Sequence, residues 1–329
     1  MGRYQRSHLG RSLWQAANSF VPYFVLWVLM VQSLSVSYWL TLGLAVIAAG
    51  FLVRIFIIFH DCGHGSFFRS RRANDLLGFV AGVLTLTPSH QWWHEHAVHH
   101  ATAGDLDRRG VGDVWTLTVD EYRSASRWTR ITYWFFRNPF FMFSVGPFLM
   151  FAIVNRFPHK TGGRREKMSV LWTNMAVAGA ITMLCLTIGW KAYVLVHLPV
   201  FLFAGSAGIW LFYVQHQFDG VYWEHHEEWD YVRTAVEGSS YFRLPRLLQW
   251  FSGNIGFHHI HHLNARIPNY RLEACHRENP AFQEVPTVTL RSSLQSLGLR
   301  LWDDKVGRMV GFKAARDPAP VKPAVAVSP

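Results

Sequence analysis

Charge is scarce in this chain of 329 residues: Asp, Glu, Lys and Arg together make up 16%, against about 25% in ordinary soluble domains. Half of the residues are hydrophobic, so the deficit points to a membrane protein. Acids are scarcer than bases, 21 against 32, leaving a net charge of +11. That excess suits anionic lipid headgroups or an acidic protein partner. It is spread between apolar stretches, which argues against nucleic acid. The three cysteines, Cys62, Cys185 and Cys275, are widely separated. They exclude a disulfide framework and are too few for an iron–sulfur cluster. No dinucleotide-binding glycine fingerprint and no internal repeat is evident. Arg3, Arg6 and Arg11 precede the first apolar run, but no small-residue cleavage site follows to mark a removable leader.

Histidine, by contrast, is plentiful and patterned. It forms His60-Asp-Cys-Gly-His64, His96-Ala-Val-His99-His100 and His258-His259-Ile-His261-His262. Residues at i, i+3 and i+4 share one face of a helix, so each cluster can aim its nitrogens at one point. With 18 histidines in 329 residues, the pattern HxxHH is expected about 0.05 times by chance, and it occurs twice. A merely solvated histidine-rich surface has no reason to repeat that spacing.

Hydropathy predicts an all-α membrane protein with about four transmembrane helices, near 20–34, 38–59, 168–188 and 193–214. Arg54 lies near the cytosolic end of the second, where its guanidinium can snorkel to the interface. The stretch 76–86 is too short to span and reads as buried or re-entrant. The stretch 139–154 contains Pro139 and Pro147, which favour a bent path that enters and returns or lies in the interface. Five cations from Arg156 to Lys167 put that segment in the cytosol by the positive-inside rule. With that parity all three clusters fall on the cytosolic face, in a helical cap made mainly of 60–135 and 215–314. The domain is expected to cover 1–314, and a Pro- and Ala-rich tail, 315–329, to be disordered.

Nine histidines are candidate ligands: two in the first cluster, three in each HxxHH, and His216 at the end of the fourth span. Four ligands close a structural zinc site, so nine fit two ions with four or five each. An all-imidazole field suits iron, copper, nickel or zinc. Two redox-active irons side by side could activate dioxygen, which one zinc cannot do. Carboxylates are nearly absent from the motifs; Asp61 alone is placed to accept an imidazole N–H.

HDCGH, HAVHH and HHIHH, in this order and with these membrane spacings, resemble the three histidine boxes of integral-membrane fatty acid desaturases. The run from His99 to Val119, Tyr213-Val-Gln-His-Gln, Gly238-Ser-Ser-Tyr and the segment Asn254 to Tyr270 are similar to bacterial acyl-lipid desaturases. The resemblance covers roughly Phe51 to Asn279. It implies a di-iron centre on the cytosolic face of a four-span bundle in the bacterial cytoplasmic membrane. It implies O2 as co-substrate, a lipid-linked acyl chain, and electrons from an external carrier such as ferredoxin or a cytochrome. The implied iron ligands are His60, His64, His96, His99, His100, His216, His258, His261 and His262. Asp61, His94, Asn254 and His259 stand as supporting residues around them. An asparagine that some members place one turn before the ligand at His216 has no counterpart, because that position is Phe212. Phe67, Phe68, Trp92, Trp93 and Trp115 are candidates to line an acyl tunnel. His90, His225 and His226 read as surface or interfacial, and His197 as a neutral histidine bonded to a neighbouring helix. Two alternatives share parts of this pattern. One is a histidine-box hydroxylase or ketolase acting on another lipid or a carotenoid; the other is a non-enzymatic metal transporter or sensor.

Overall fold

The computed structural model describes residues 1–316, so most of the tail expected from 315 onward lies outside the described residues. Ala315 itself closes a short 3-10 turn, Phe312–Ala315. Four helices are long and apolar enough to cross a membrane: α1 (Leu9–Ser33), α2 (Tyr38–Gly63) and, further along, Arg164–Ile188 and Trp190–His216. Between them lie α3 (Arg71–Leu84), α4 (Ser89–Thr102), α5 (Val119–Ser124), α6 (Arg127–Phe136) and α7 (Gly146–Ala152). The two later spans are thus α8 and α9. The remaining cap holds α10 (Tyr231–Glu237), α11 (Arg246–Phe251), α12 (His258–Leu263) and α13 (Asn269–Glu278).

α2 is the centre of the bundle. Its apolar window is 56% buried within the protein, against 11% for α8, so α8 turns most of its surface outward to lipid. Small residues Ala45, Ala48 and Ala49 are buried on α2, which lets neighbouring backbones approach closely. α1 packs antiparallel to α2 through a short turn, pinned by Ser33 and Thr41 hydroxyls 2.7 Å apart. α8 passes to α9 through Gly189, whose φ of +85° is a backbone conformation that favours glycine.

α1 starts at Leu9, three turns before the apolar run expected from residue 20. Those extra turns are paired rather than solvated. Ser12 Oγ donates to the Phe67 carbonyl at 2.6 Å, and Gln15 Nε2 donates to Asn269 Oδ1 at 2.9 Å. The helix therefore runs out of the apolar layer into the cap. Arg54 departs from expectation as well. It does not snorkel but is 6% exposed, donating to Ser19 Oγ at 3.1 Å and to the Trp250 carbonyl, with its guanidinium 4.0 Å from the Trp250 ring centre. Protein groups replace the interface as its solvent.

The stretch expected to bend does so. Arg127–Phe136 and Phe141–Arg156 form a helix pair bent by 65°, and Arg156 ties its end to Asn174 of α8 at 2.8 Å. The segment expected at 76–86 is α3, packed against α2 and α8. The only strands described are five short ones, β1 (Leu117–Thr118), β2 (Tyr241–Arg243), β3 (Thr287–Thr289), β4 (Leu301–Asp303) and β5 (Arg308–Val310). β2 pairs parallel with β3, and β4 pairs with both β1 and β5. They tie the late chain onto the cap without changing a helical architecture.

The ends of α2 and α9 meet the cap on the same side as the start of α1 and of α8, where Ser169 Oγ accepts from the Gln91 backbone at 3.2 Å. Trp93 wedges α4 against this junction, its indole N–H donating to the Phe59 carbonyl at 3.1 Å. Gly63 and Gly78 flank the ring so closely that a Cβ at either would overlap it. Gly78→Val should therefore lower stability by about 1–3 kcal/mol. A fall in Tm of the purified protein checks this; an unchanged Tm refutes the wedge.

Candidate metal centre

Four separate pieces of chain deliver histidines to one place. The last turn of α2 supplies His60 and the residue that caps its end is His64, while α4 supplies His96, His99 and His100. α9 ends on His216, and α12 supplies His258, His261 and His262. The residues sort across clusters. His60, His64, His96, His100 and His261 form one group, and His99, His216, His258 and His262 form another; within each, the candidate ligand atoms lie within 4.8 Å of one another.

In the group of five, Nε2 of His60 stands 3.0 Å from that of His261, His261 2.9 Å from His100, and His100 3.1 Å from His96. In the group of four, His216 Nε2 lies 3.2 Å from His99 and 2.9 Å from His258, with His258 and His262 3.1 Å apart. Two nitrogens on a metal at about 2.1 Å stand about 3.0 Å apart at a right angle and about 3.4 Å apart at the tetrahedral angle. Spacings of 2.9–3.2 Å lie within the range that donors to a single ion would show. His64 Nε2 is buried with no hydrogen-bond partner, as expected of a lone pair reserved for a metal. Burial holds His64, His96, His100, His258, His261 and His262 well below the ordinary imidazole range. They are neutral near pH 7, the form that ligates. The residues present therefore fit two metal ions.

Carboxylates fix the rings from outside. His60 Nδ1–H donates to Asp61 Oδ1 at 3.2 Å, and His99 Nδ1–H donates to Asp113 Oδ1 at 2.6 Å. Each bond selects the tautomer whose Nε2 lone pair points inward. Asp61 Oδ2 in turn accepts from the Asn269 backbone at 2.7 Å and from its amide at 2.8 Å, and Asn269 accepts from Gln15. A continuous line of hydrogen bonds thus joins α1 to the first cluster. Sequence reasoning found Asp61 but missed Asp113, Asn269 and Gln15. Asp113 reaches His99 because Gly112, with φ +75°, lets its loop lie directly on α4 where a Cβ would press on His99 and Glu95.

The other expected supporting residues sit elsewhere. His94 is exposed and in neither group. His259, one residue on from His258 and so turned away, faces His276, with Nε2 3.3 Å from its Nδ1. Asn254 donates to the Asn269 carbonyl at 3.3 Å and accepts from Gln249 at 3.0 Å, a backbone anchor behind the ligands. His225 and His226 lie at the surface against Asp107 and Asp105. His90 packs its ring on Trp93. His197 stacks between Tyr193 and Phe201 within α9, held by rings rather than by a hydrogen bond.

Among the five aromatics singled out, Trp92 alone lies against ligand rings, stacked 4.5 Å from His96. Phe212 covers the other group, 5.3 Å from His99 and 5.2 Å from His216, so an apolar ring fills the place of the absent asparagine. Phe67 is buried against Phe68 and Tyr270, and Trp115 packs with Tyr133 and Phe136. Arg137 gave no signal in the sequence. It is 1% exposed and donates to Gln217 Oε1 at 2.9 Å, Leu299 O at 2.8 Å and Thr116 Oγ1 at 3.1 Å. That clamp holds the chain immediately after His216.

The family described as fatty acid desaturase matches residues 37–291 of this chain. The chain is 54% identical over 305 residues to a fatty acid desaturase of Bacillus subtilis, covering 93% of this chain and 87% of that protein. It is 26% identical over 244 residues to the sn-1 oleoyl-lipid 12-desaturase of Synechocystis, covering 72% of this chain and 66% of that one. The sn-1 acyl-lipid omega-3 desaturase (ferredoxin) of Synechocystis is 27% identical over 240 residues, with 66% of this chain and 61% of the other covered.

Purified protein should carry close to two metal ions per chain by elemental analysis. Asp113→Asn should keep the fold and weaken metal retention about 10- to 100-fold, while His94→Ala should leave it unchanged. Full retention in Asp113→Asn would refute the role given to that carboxylate.

Proposed function

The chain belongs to the fatty acid desaturase family, and on that premise we propose that it is a membrane enzyme that introduces a double bond into a lipid-linked acyl chain. The balance is –CH2–CH2– plus O2, two electrons and two protons, giving –CH=CH– and two waters. The observation that carries this reading is the pair of buried histidine groups, five and four, with inward lone pairs. His60, His64, His96, His100 and His261 would hold one iron, and His99, His216, His258 and His262 the other. When bound, the two irons supply the reduction of O2 that removes hydrogen from unactivated methylenes.

The protein's own residues hold and exclude. Asp61 and Asp113 keep two rings in the ligating tautomer, and burial keeps His64, His96, His100, His258, His261 and His262 neutral. Trp92, stacked on His96, and the neighbouring rings of Phe56 and Phe59 form an apolar wall beside the group of five. Such a wall suits a hydrocarbon chain and keeps bulk water from the reaction. Placement of the chain along such a wall, rather than acid–base work, decides which carbons react.

Four apolar helices make the protein integral to the membrane. The five cations of 156–167 support a cytosolic position for the histidines, in a bacterial cytoplasmic membrane. Electrons come from outside, since the chain has neither a dinucleotide fingerprint nor enough cysteine for a cluster. The net charge of +11 favours a small acidic carrier, and a Synechocystis relative is named for ferredoxin.

Expression in a host without desaturases should yield new unsaturated acyl chains, with the bond located by mass spectrometry. His99→Ala should abolish them while the protein still inserts. Hydroxylated products would move the enzyme to the related hydroxylases. Full activity in His99→Ala would overturn the ligand assignment.

A further inference from the structure

α6 is fixed to the cap along one side and bare along the other. Tyr133 is fully buried, accepting from the Leu117 backbone at 3.1 Å and donating to the Arg300 carbonyl. The opposite side leaves Trp128 77%, Phe135 57% and Trp134 46% exposed. Arg127 and Arg130 stand on that open side, three residues apart and so adjacent on the helix surface. Among the described residues neither has an ion-pair or hydrogen-bond partner, whereas nearby Arg109 is paired with Glu121.

Helix stability does not account for them. The first turn of α6 contains no acid, and cations near a helix N-terminus oppose its dipole. The exposed side is also graded along the axis. Arg127 and Arg130 occupy the first half together with Trp128, and Ile131, Trp134 and Phe135 the second, after which the chain bends by 65° into the apolar stretch Phe141–Arg156. Tryptophans at such a change from polar to apolar surface mark the headgroup level of a bilayer. Tyr122, Arg127, Arg130, Ile131 and Trp134 line an open groove of about 280 Å³ here.

We propose that this groove binds the phosphate of a membrane glycerophospholipid, with its acyl chains lying along Ile131 and Trp134 toward 141–156. Two guanidinium forks suit a phosphodiester. A free phosphate would use the arginines and leave the apolar half idle; an uncharged acylglycerol would do the reverse. The proposal requires only that the chain resides in a bilayer, not that it desaturates.

The test is native mass spectrometry of the full chain in detergent with added dioleoyl phosphatidylglycerol or dioleoylglycerol. The wild type should retain one phosphatidylglycerol about tenfold or more tightly than the double variant Arg127→Gln/Arg130→Gln. Dioleoylglycerol retention should be equal in both, and millimolar inorganic phosphate should not displace the phospholipid. Equal phosphatidylglycerol retention by the double variant would overturn the proposal, as would displacement by inorganic phosphate. Should the glutamine pair lower Tm, Arg127→Lys/Arg130→Lys, which keeps the charge and loses the forks, must weaken phosphatidylglycerol retention and leave dioleoylglycerol retention unchanged; undiminished phosphatidylglycerol retention would overturn the proposal. Retention is read without turnover, so a negative result here leaves the acyl reaction untouched.

Discussion

Nine imidazoles drawn into one buried space face a physical conflict: each prefers water, and any two that took up protons would repel each other. The protein resolves this by withdrawing them from solvent, which holds His64, His96, His100, His258, His261 and His262 neutral, and by giving selected Nδ1 atoms a carboxylate. Both measures leave Nε2 lone pairs facing inward with nothing but one another for company. Such an arrangement is expensive without a cation at its centre, and two cations would relieve it. The bundle, the cap and the buried hydrogen-bond line from Gln15 to His60 are the scaffold that sustains the crowding.

The membrane sets the second constraint. Inside the apolar layer backbone groups must be satisfied internally, so spans are helical, and the irregular backbone gathers in the cap. Polar side chains that intrude at depth are answered by protein. Arg54 finds Ser19 and Trp250, and the buried guanidinium of Arg137 is surrounded by carbonyl, amide and hydroxyl oxygens. Each pins a helix where the chain changes from span to cap, so charge that hydropathy would penalise serves to fix geometry.

Much of this was readable from residue order. Spacing within HAVHH and HHIHH announces which side chains share a helix face, because helical periodicity is local. Hydropathy located the four long helices to within a few residues, except at α1, whose polar first turns are stabilised by partners as distant as Asn269. What could not be read was the exchange between clusters: His99 leaves its neighbours His96 and His100 to join His216, His258 and His262. Asp113 was hidden for the same reason, since a glycine at positive φ in a loop brings it to His99 and no periodicity records that. His259 shows the converse, a box residue that its helical phase turns away toward His276.

The sorting of histidines between groups also orders how the site can come into being. A chain emerging in sequence holds a single member of the group of four, His99, until residue 216 has been made, and its four members come from three different helices. The group of five waits for His261, though its first four members arrive by residue 100. Neither ion could be fully enclosed before four-fifths of the chain has been made. Complete enclosure of the reactive centre thereby reports that the membrane bundle and the cap have already closed around it.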